Sequence, residues 1–172
     1  DVYLVSGKVG NISAKNIIIR SGTTIGNIFS HKENIEVLTL NSNTKWDDST
    51  AQFNSCSNLT NLTIGDGITN IPASCFAYCS SLDNVIIPDS VAEIGQSAFE
   101  GCSSLKNLTL SKNIKKIPNN CFSSCGFETF TIPDDSLTEK LENVIFDRCS
   151  KLKTVYIGKN VKTIGDGGNR GF

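Results

Sequence analysis

The feature that most constrains this chain is an internal repeat of about 23 residues. The stretches LTNLTIGDGITNIPASCFAYCSS, LDNVIIPDSVAEIGQSAFEGCSS and LKNLTLSKNIKKIPNNCFSSCG follow one another from Leu59. Further copies open at Phe127 and Leu152, and upstream ones open at Ile35 and, in degenerate form, at Ala14. Units this short cannot bury their apolar side chains alone, so the repeat predicts a stack of coils that share one interior.

Each unit reads L-x-x-L-x-I, then turn residues, then V/I-x-x-I-G/P and finally S-x-F-x-x-C. The alternation of Leu62 with Ile64, or of Leu108 with Leu110, predicts a short strand that buries one face. Turn residues such as Pro88-Asp89-Ser90 follow the strand, and a Pro or Gly after the next apolar pair marks a second bend. We therefore expect parallel strands on one side, and a second short strand with one tight helical turn on the other.

A phenylalanine and a cysteine three residues later recur in five successive units. These residues are Phe53, Cys56, Phe76, Cys79, Phe99, Cys102, Phe122, Cys125, Phe146 and Cys149. We expect them to form a buried structural ladder, because free Cys packs as a small hydrophobic group. Side chains stacked in register lie ~4.8 Å apart, beyond the ~3.8 Å Cβ separation that a disulfide prefers, so the thiols are predicted to stay reduced.

Charge supports stacking in register. The residue after the leading apolar position is Asp83, then Lys106, Glu128 and Lys153 in successive units. Like charges that lie directly opposite one another on neighbouring strands repel, whereas opposite charges attract. The alternation therefore favours direct alignment of equivalent positions.

The run IIPDSVAEIGQSAFEGCSSL, Ile86 to Leu105, resembles the leucine-rich repeat of the BspA-like surface proteins. The resemblance implies a mainly β, leucine-rich repeat solenoid with a parallel β-sheet on one face and short strands and helical turns on the other. It also implies a cell-surface or secreted location and protein partners on host or bacterial surfaces. We expect an N-terminal cap and degenerate repeat over 1–34, four BspA-like repeats over 35–151 and a partial C-terminal repeat over 152–172.

Composition excludes several other classes. A net charge of −1 with no Lys/Arg-rich run argues against a nucleic-acid partner, and no apolar run approaches the ~20 residues that span a bilayer. The only imidazole is His31, so a nucleophile has little choice of base, and we expect no catalytic residues. The Cys75/Cys79 spacing resembles a metal motif only superficially, since a core phenylalanine lies within it, and we expect neither metal nor cofactor.

The outward residues of the first strand in each unit are the candidate binding residues: Asn61, Thr63, Asn84, Ile86, Asn107, Thr109, Thr131 and Tyr156. Repeat proteins commonly bind along such a face. Thr and Asn also stack well in a parallel ladder and could serve only to keep it soluble. Ile86 and Tyr156 are the exceptions, because exposed apolar and aromatic groups can anchor an interface.

We therefore predict a non-enzymatic cell-surface or secreted protein that mediates adhesion-type protein binding through its sheet. The alternative from the sequence is a structural spacer within a larger surface protein. A third class, a thiol-dependent enzyme or sensor, predicts rapid labelling of the native cysteines.

Overall fold

The computed structural model describes residues 2–5, 13–47 and 51–165. After β1 (Val2–Val5) the chain forms a succession of similar coils, each with two short strands. The first strands of the coils are β1 Val2–Val5, β2 Asn16–Ile19, β4 Val37–Leu40, β6 Asn61–Ile64, β8 Asn84–Ile86, β10 Asn107–Thr109, β12 Thr129–Thr131 and β14 Thr154–Tyr156. The second strands are β3 Thr24–Ile25, β5 Lys45–Trp46, β7 Asn70–Ile71, β9 Glu93–Ile94, β11 Lys116–Ile117, β13 Lys140–Leu141 and β15 Thr163–Ile164.

All pairings between strands are parallel, and equivalent positions of successive repeats face each other. Leu38 pairs with Leu62, and Val85 pairs with Leu108. The hydrogen-bonded groups of first strands are β1-β2-β4-β6, β8-β10 and β12-β14, and those of second strands are β3-β5, β7-β9 and β11-β13-β15. The predicted solenoid with parallel strands is therefore confirmed. Five first strands lie within residues 35–151, one more than the four repeats expected there.

The helical turn expected around each phenylalanine is not present, because the described residues contain no helix. Tight turns take its place: the N–H of Cys75 donates to the carbonyl of Pro72, and the N–H of Cys79 donates to that of Phe76, both at 3.3 Å. Each repeat has two left-handed residues in this segment, at Ala51 and Ser55, Ser74 and Tyr78, Ser97 and Gly101, Asn120 and Ser124, and Val144 and Arg148.

Hydrogen bonds to the next repeat prevent this turn segment from forming a helical turn. The N–H of Phe76 donates to the carbonyl of Ala98 at 2.9 Å, and the N–H of Phe99 donates to that of Cys121 at 3.0 Å. A continuous helical turn would direct these N–H groups along its own axis instead. The bonds to the next repeat therefore replace those that a helix would have made.

Phenylalanine rings form the centre of the stack. Rings of successive repeats, from Phe29 through Phe53, Phe76, Phe99 and Phe122 to Phe146, have centroids 5.1–6.3 Å apart and planes within 21° of parallel. All six side chains are buried. Phe29 extends the series one repeat upstream of the Phe53 at which the sequence pattern begins.

The cysteines of the ladder lie beside these rings. Each thiol donates to the carbonyl of the phenylalanine in the preceding repeat: Cys56 to Phe29, Cys79 to Phe53, Cys102 to Phe76, Cys125 to Phe99 and Cys149 to Phe122, at 3.1–3.4 Å. Four of the five cysteines are buried, whereas Cys149 is partly exposed. The cysteine therefore fills space and also provides a hydrogen-bond donor for a carbonyl that water cannot reach.

Among the described residues, no helix is long and apolar enough to cross a lipid bilayer.

Candidate interaction surface

The outward side chains of the first strands form a surface that we call the strand face. Because side chains alternate along a strand, each repeat contributes two outward residues to it. One column contains Val37, Asn61, Asn84, Asn107, Thr129 and Thr154, and the other contains Thr39, Thr63, Ile86, Thr109, Thr131 and Tyr156. The parallel register places Asn84 beside Asn107 and Ile86 beside Thr109.

All eight residues predicted as binding candidates lie on the strand face and are exposed. The structure brings neighbours together in register, with Thr39 beside Thr63 and Thr131 beside Tyr156. The eight do not converge on a pocket, since they extend in two lines along the solenoid. Such an arrangement can offer amide and hydroxyl groups to an extended partner surface.

Ile86 and Tyr156 are the strongly exposed apolar residues of this surface, with exposed fractions of 61% and 60%, whereas Val37 in the other column is partly buried. They belong to the same column and are three repeats apart, which places them roughly 14 Å from each other at ~4.8 Å per repeat. Thr109 and Thr131 lie between them. The strand face thus presents two apolar points separated by hydroxyl groups.

Neither column contains a charged residue. Four of the charges along the edge where the first strands begin form ion pairs within the protein: Lys15 Nζ lies 2.7 Å from Glu36, and Lys153 Nζ lies 2.9 Å from Glu128. Paired opposite charges partly cancel at a distance and are screened by salt. Recognition on this face therefore depends on shape, apolar contact and neutral hydrogen bonds.

Comparison with known proteins fits this architecture. The family described as "BspA type Leucine rich repeat region (6 copies)" matches residues 9–82 and 69–168 of the chain. The chain belongs to the BspA-type leucine-rich repeat family. The resemblance noted in the repeat around Phe99 is therefore confirmed over nearly the whole sequence.

Solved structures with similar folds are also leucine-rich repeat proteins. The leucine-rich repeat protein of T. pallidum superposes with a TM-score of 0.78 at 22% identity, over 91% of this chain and 75% of that one. A leucine-rich repeat protein from Bacteroides ovatus gives a TM-score of 0.61 at 20% identity, over 88% of this chain and 43% of that one. At these identities the likeness shows the fold alone. No protein with a curated functional description matches the chain.

Sequence reasoning missed two exposed apolar residues of this BspA-type solenoid. Tyr78, 51% exposed, lies at a left-handed position of the turn segment, where other repeats have Ser, Gly or Arg. Its ring covers Gly101, where a Cβ would overlap the ring, and its hydroxyl donates to Glu100 Oε1 at 3.1 Å. Leu137, 47% exposed, lies in the longer fourth repeat. The signal for both was departure from the repeat consensus.

The thiols have the properties of structural groups. Burial raises the pKa of Cys56 from 9.0 to about 11 and raises the pKa of Cys79 and Cys102 well above the ordinary range. Burial also raises the pKa of the partly exposed Cys149. Because the thiolate is the nucleophile, these shifts disfavour thiol chemistry at neutral pH.

Other polar contacts do not assemble a reaction site or metal site in the part of the chain that the structure describes. Ser30 Oγ lies 2.7 Å from His31 Nδ1, but both belong to an exposed turn and are adjacent in sequence. No group of three or more His, Cys, Asp or Glu residues is arranged to hold a metal ion within residues 13–47 and 51–165. Trp46 packs on the core, and its Nε1–H donates to the carbonyl of Asn70 at 2.7 Å.

Proposed function

We propose that this chain is a non-enzymatic binding segment of a cell-surface or secreted protein, and that it holds protein partners on the strand face. The observation that supports this most strongly is the pair Ile86 and Tyr156, both about 60% exposed in a column whose other members are threonines, on a surface without charged residues. Leucine-rich repeat proteins generally bind proteins, and those of the BspA type are commonly surface proteins.

Rigidity is the physical basis of the proposed binding. The residues of the strand face are held in parallel register within the hydrogen-bonded groups β1-β2-β4-β6, β8-β10 and β12-β14. The stacked phenylalanine core joins these groups, so a partner does not have to order them. Apolar anchors in desolvated positions provide most of the energy in typical interfaces, while the surrounding polar residues contribute complementarity. Ile86 and Tyr156 would act as such anchors.

The size of the surface sets an expectation for affinity. Six first strands at ~4.8 Å spacing, each of three or four residues at ~3.3 Å, give a flat area of roughly 300 Å². An ordinary protein interface buries ~800 Å² on each partner. A single copy should therefore bind weakly unless loops beside the strands also take part, and strong attachment would require several copies acting together.

The test compares matched pairs of substitutions on different faces. Ile86→Asp and Tyr156→Asp introduce charge on the strand face, whereas Leu137→Asp and Tyr78→Asp introduce the same charge at similarly exposed apolar residues elsewhere. The four variants and the parent chain are immobilised and exposed to a membrane-protein extract of epithelial cells. Captured proteins are quantified by mass spectrometry, and their affinities are then measured in purified form.

We expect a captured protein whose binding is lost with the strand-face variants and retained with the two controls. Circular dichroism and urea unfolding confirm that each variant is folded. Equal capture by all five proteins, or loss only with Leu137→Asp or Tyr78→Asp, would show that the strand face is not the binding surface. Absence of specific capture by the parent chain would favour the structural spacer instead.

A further inference from the structure

Net charge alternates strongly between successive repeats in the second half of the solenoid. Residues 82–104 contain four acidic and no basic residues, and residues 105–126 contain four lysines and no acidic residue. Residues 127–151 have a net charge of −3, from six acidic and three basic residues, and residues 152–165 have +3, from three lysines alone. The four units therefore carry −4, +4, −3 and +3.

Ion pairs between neighbouring units accompany this alternation. Lys112 and Asp135 approach to 2.7 Å across one junction, and Lys116 and Glu142 approach to 3.2 Å across the same junction. Across the next junction, Lys153 pairs with Glu128 and Lys162 pairs with Glu139, each at 2.9 Å.

Acidic side chains also receive backbone N–H groups of the following basic repeat. Asp89 Oδ1 accepts from the N–H of Lys112 at 2.9 Å, and Asp134 Oδ1 accepts from the N–H of Lys159 at 3.0 Å. Three successive junctions therefore have an electrostatic contact between units of opposite sign.

The apolar interior gives less preference than the charges do for one neighbouring repeat over another. Three repeats are alike in their interior: 82–104, 105–126 and 127–151. Each has apolar side chains on the inner face of its first strand, and a buried phenylalanine and a cysteine at equivalent positions. A unit that stacked on the repeat after next, or on the same repeat of another molecule, would still bury these groups. Misassembly of this kind is a characteristic failure of repeat proteins.

Charge does distinguish the adjacent repeat from the repeat after next. Omitting one unit would place 82–104 against 127–151, two acidic units, or 105–126 against 152–165, two basic units. Like charges directly opposite each other in a sheet are destabilising, and their repulsion is not relieved by any change in the apolar core.

We propose that the alternating net charge of repeats 82–165 selects which repeat stacks on which, so that it determines the order of the solenoid as well as adding to its stability. This selection of stacking order is independent of binding on the strand face, because none of the charged residues involved belongs to either column of that face.

The test uses the full chain and the two ion pairs of the last junction. The reversed variant, Lys153→Glu/Lys162→Glu, places acidic groups opposite Glu128 and Glu139. The neutral variant, Lys153→Gln/Lys162→Gln, removes the attraction without adding repulsion. The exchanged variant adds Glu128→Lys/Glu139→Lys to the reversed one, which restores two pairs of opposite sign.

Each protein is refolded from urea at low ionic strength and at about 1 M NaCl, where screening acts over ~3 Å. Three readouts follow: amide hydrogen exchange in β14 and β15, the monomer fraction by size-exclusion chromatography, and zero-length carbodiimide crosslinks mapped by mass spectrometry.

At low salt we expect the reversed variant to lose hydrogen-exchange protection in β14 and β15, more than the neutral variant does. We also expect it to give crosslinks from positions 153 and 162 to lysines of repeat 105–126, within or between chains. Salt should restore the parent behaviour. The exchanged variant should restore protection in β14 and β15 but lose it at the junction of 105–126 with 127–151, because it leaves these two units with net charges of +4 and +1. If the reversed variant refolds to a monomer with native protection, or loses protection without off-register crosslinks, charge does not select the order. Insensitivity to salt would overturn the proposal as well.

Discussion

The middle of the solenoid and its C-terminal part use the same repeat with different results. In the middle, Phe76 and Phe99 are covered by rings on both sides, and Cys79 and Cys102 are fully buried. In the C-terminal part Cys149 is partly exposed, and Ile157 and Ile164, at positions that are buried in earlier repeats, are exposed. The difference shows that burial of a consensus residue depends on having neighbours on both sides.

The fourth repeat adds a second difference. This longer repeat has an extra aromatic cluster. Phe127 and Phe130 contact Phe122, and Phe130 also contacts Phe146; several of these ring pairs meet edge to face. The parallel stacking of the middle repeats is therefore supplemented here by packing of another geometry. The four predictions below test how far the two regions differ, from the largest expected effect to the smallest.

Phe99→Ala should destabilise the chain by about 3–5 kcal/mol, because the ring is fully buried between two others and leaves a cavity. Phe146→Ala should cost less, because that ring is slightly exposed and lies nearer the end of the series. Urea unfolding of the reduced proteins measures both. An equal or larger cost at Phe146 would mean that the extra aromatic cluster compensates for the greater exposure of this ring.

Alkaline pH should destabilise the middle region through its thiols. A folded pKa raised above the unfolded value keeps the thiol neutral in the native state, so this stability is present below pH 9.0 and is lost as pH rises toward about 11 for Cys56. The loss for Cys56 alone is about 3 kcal/mol. Unfolding free energies measured across this range should fall, and Cys56→Ala should flatten the slope more than Cys149→Ala does.

Cys102→Ala should cost about 1–3 kcal/mol, because it removes a fully buried sulfur, leaves a cavity and takes away one of the two donors to the carbonyl of Phe76. Cys149→Ala should cost less, since solvent can reach that partly exposed position. Labelling of the native protein with iodoacetamide provides an independent measurement, in which Cys149 should react first and the buried thiols only after unfolding. Rapid labelling of Cys102 would instead favour the thiol-dependent class.

Acid should have the smallest effect. Hydrogen bonds from Lys153, Lys112 and Lys162 lower the pKa of Glu128, Asp135 and Glu139 respectively. Their contribution is therefore present above the ordinary pKa of 4.5 for Glu and is lost as pH falls through the lower folded value. Urea midpoints between neutral pH and about pH 3 should decrease slightly, because exposed pairs contribute little. A large decrease would indicate stronger coupling between repeats.

Much of the fold was predictable because the informative residues recur. Each Leu, Ile and Phe of the pattern appears in several successive units, so the parallel strands and the phenylalanine positions follow from spacing. The conformation of the turn segment did not follow, because the left-handed backbone at Ser74 and Tyr78 is stabilised by N–H groups that donate to the next repeat. Such bonds are not visible in the sequence of a single unit.

For the candidate surface, the sequence predicted only which side chains point outward from the strands. Alternation along the strands placed Ile86 and Tyr156 outward, and the structure has them exposed. The partial exposure of Cys149 was not predictable from its motif, which is the same as that of Cys102, because exposure depends on the neighbouring coil. What binds to the strand face is likewise a property of a partner and is not encoded in the repeat pattern.

The segregation of charge also has a consequence for proteolysis. Between Lys45 and Lys106 the chain has no lysine or arginine over 60 residues. Trypsin-like enzymes, which cleave after basic residues, therefore find no scissile bond between Trp46 and Leu105, a stretch that includes Phe53, Phe76 and Phe99. Digestion at the ends would leave this central segment as one uncut piece.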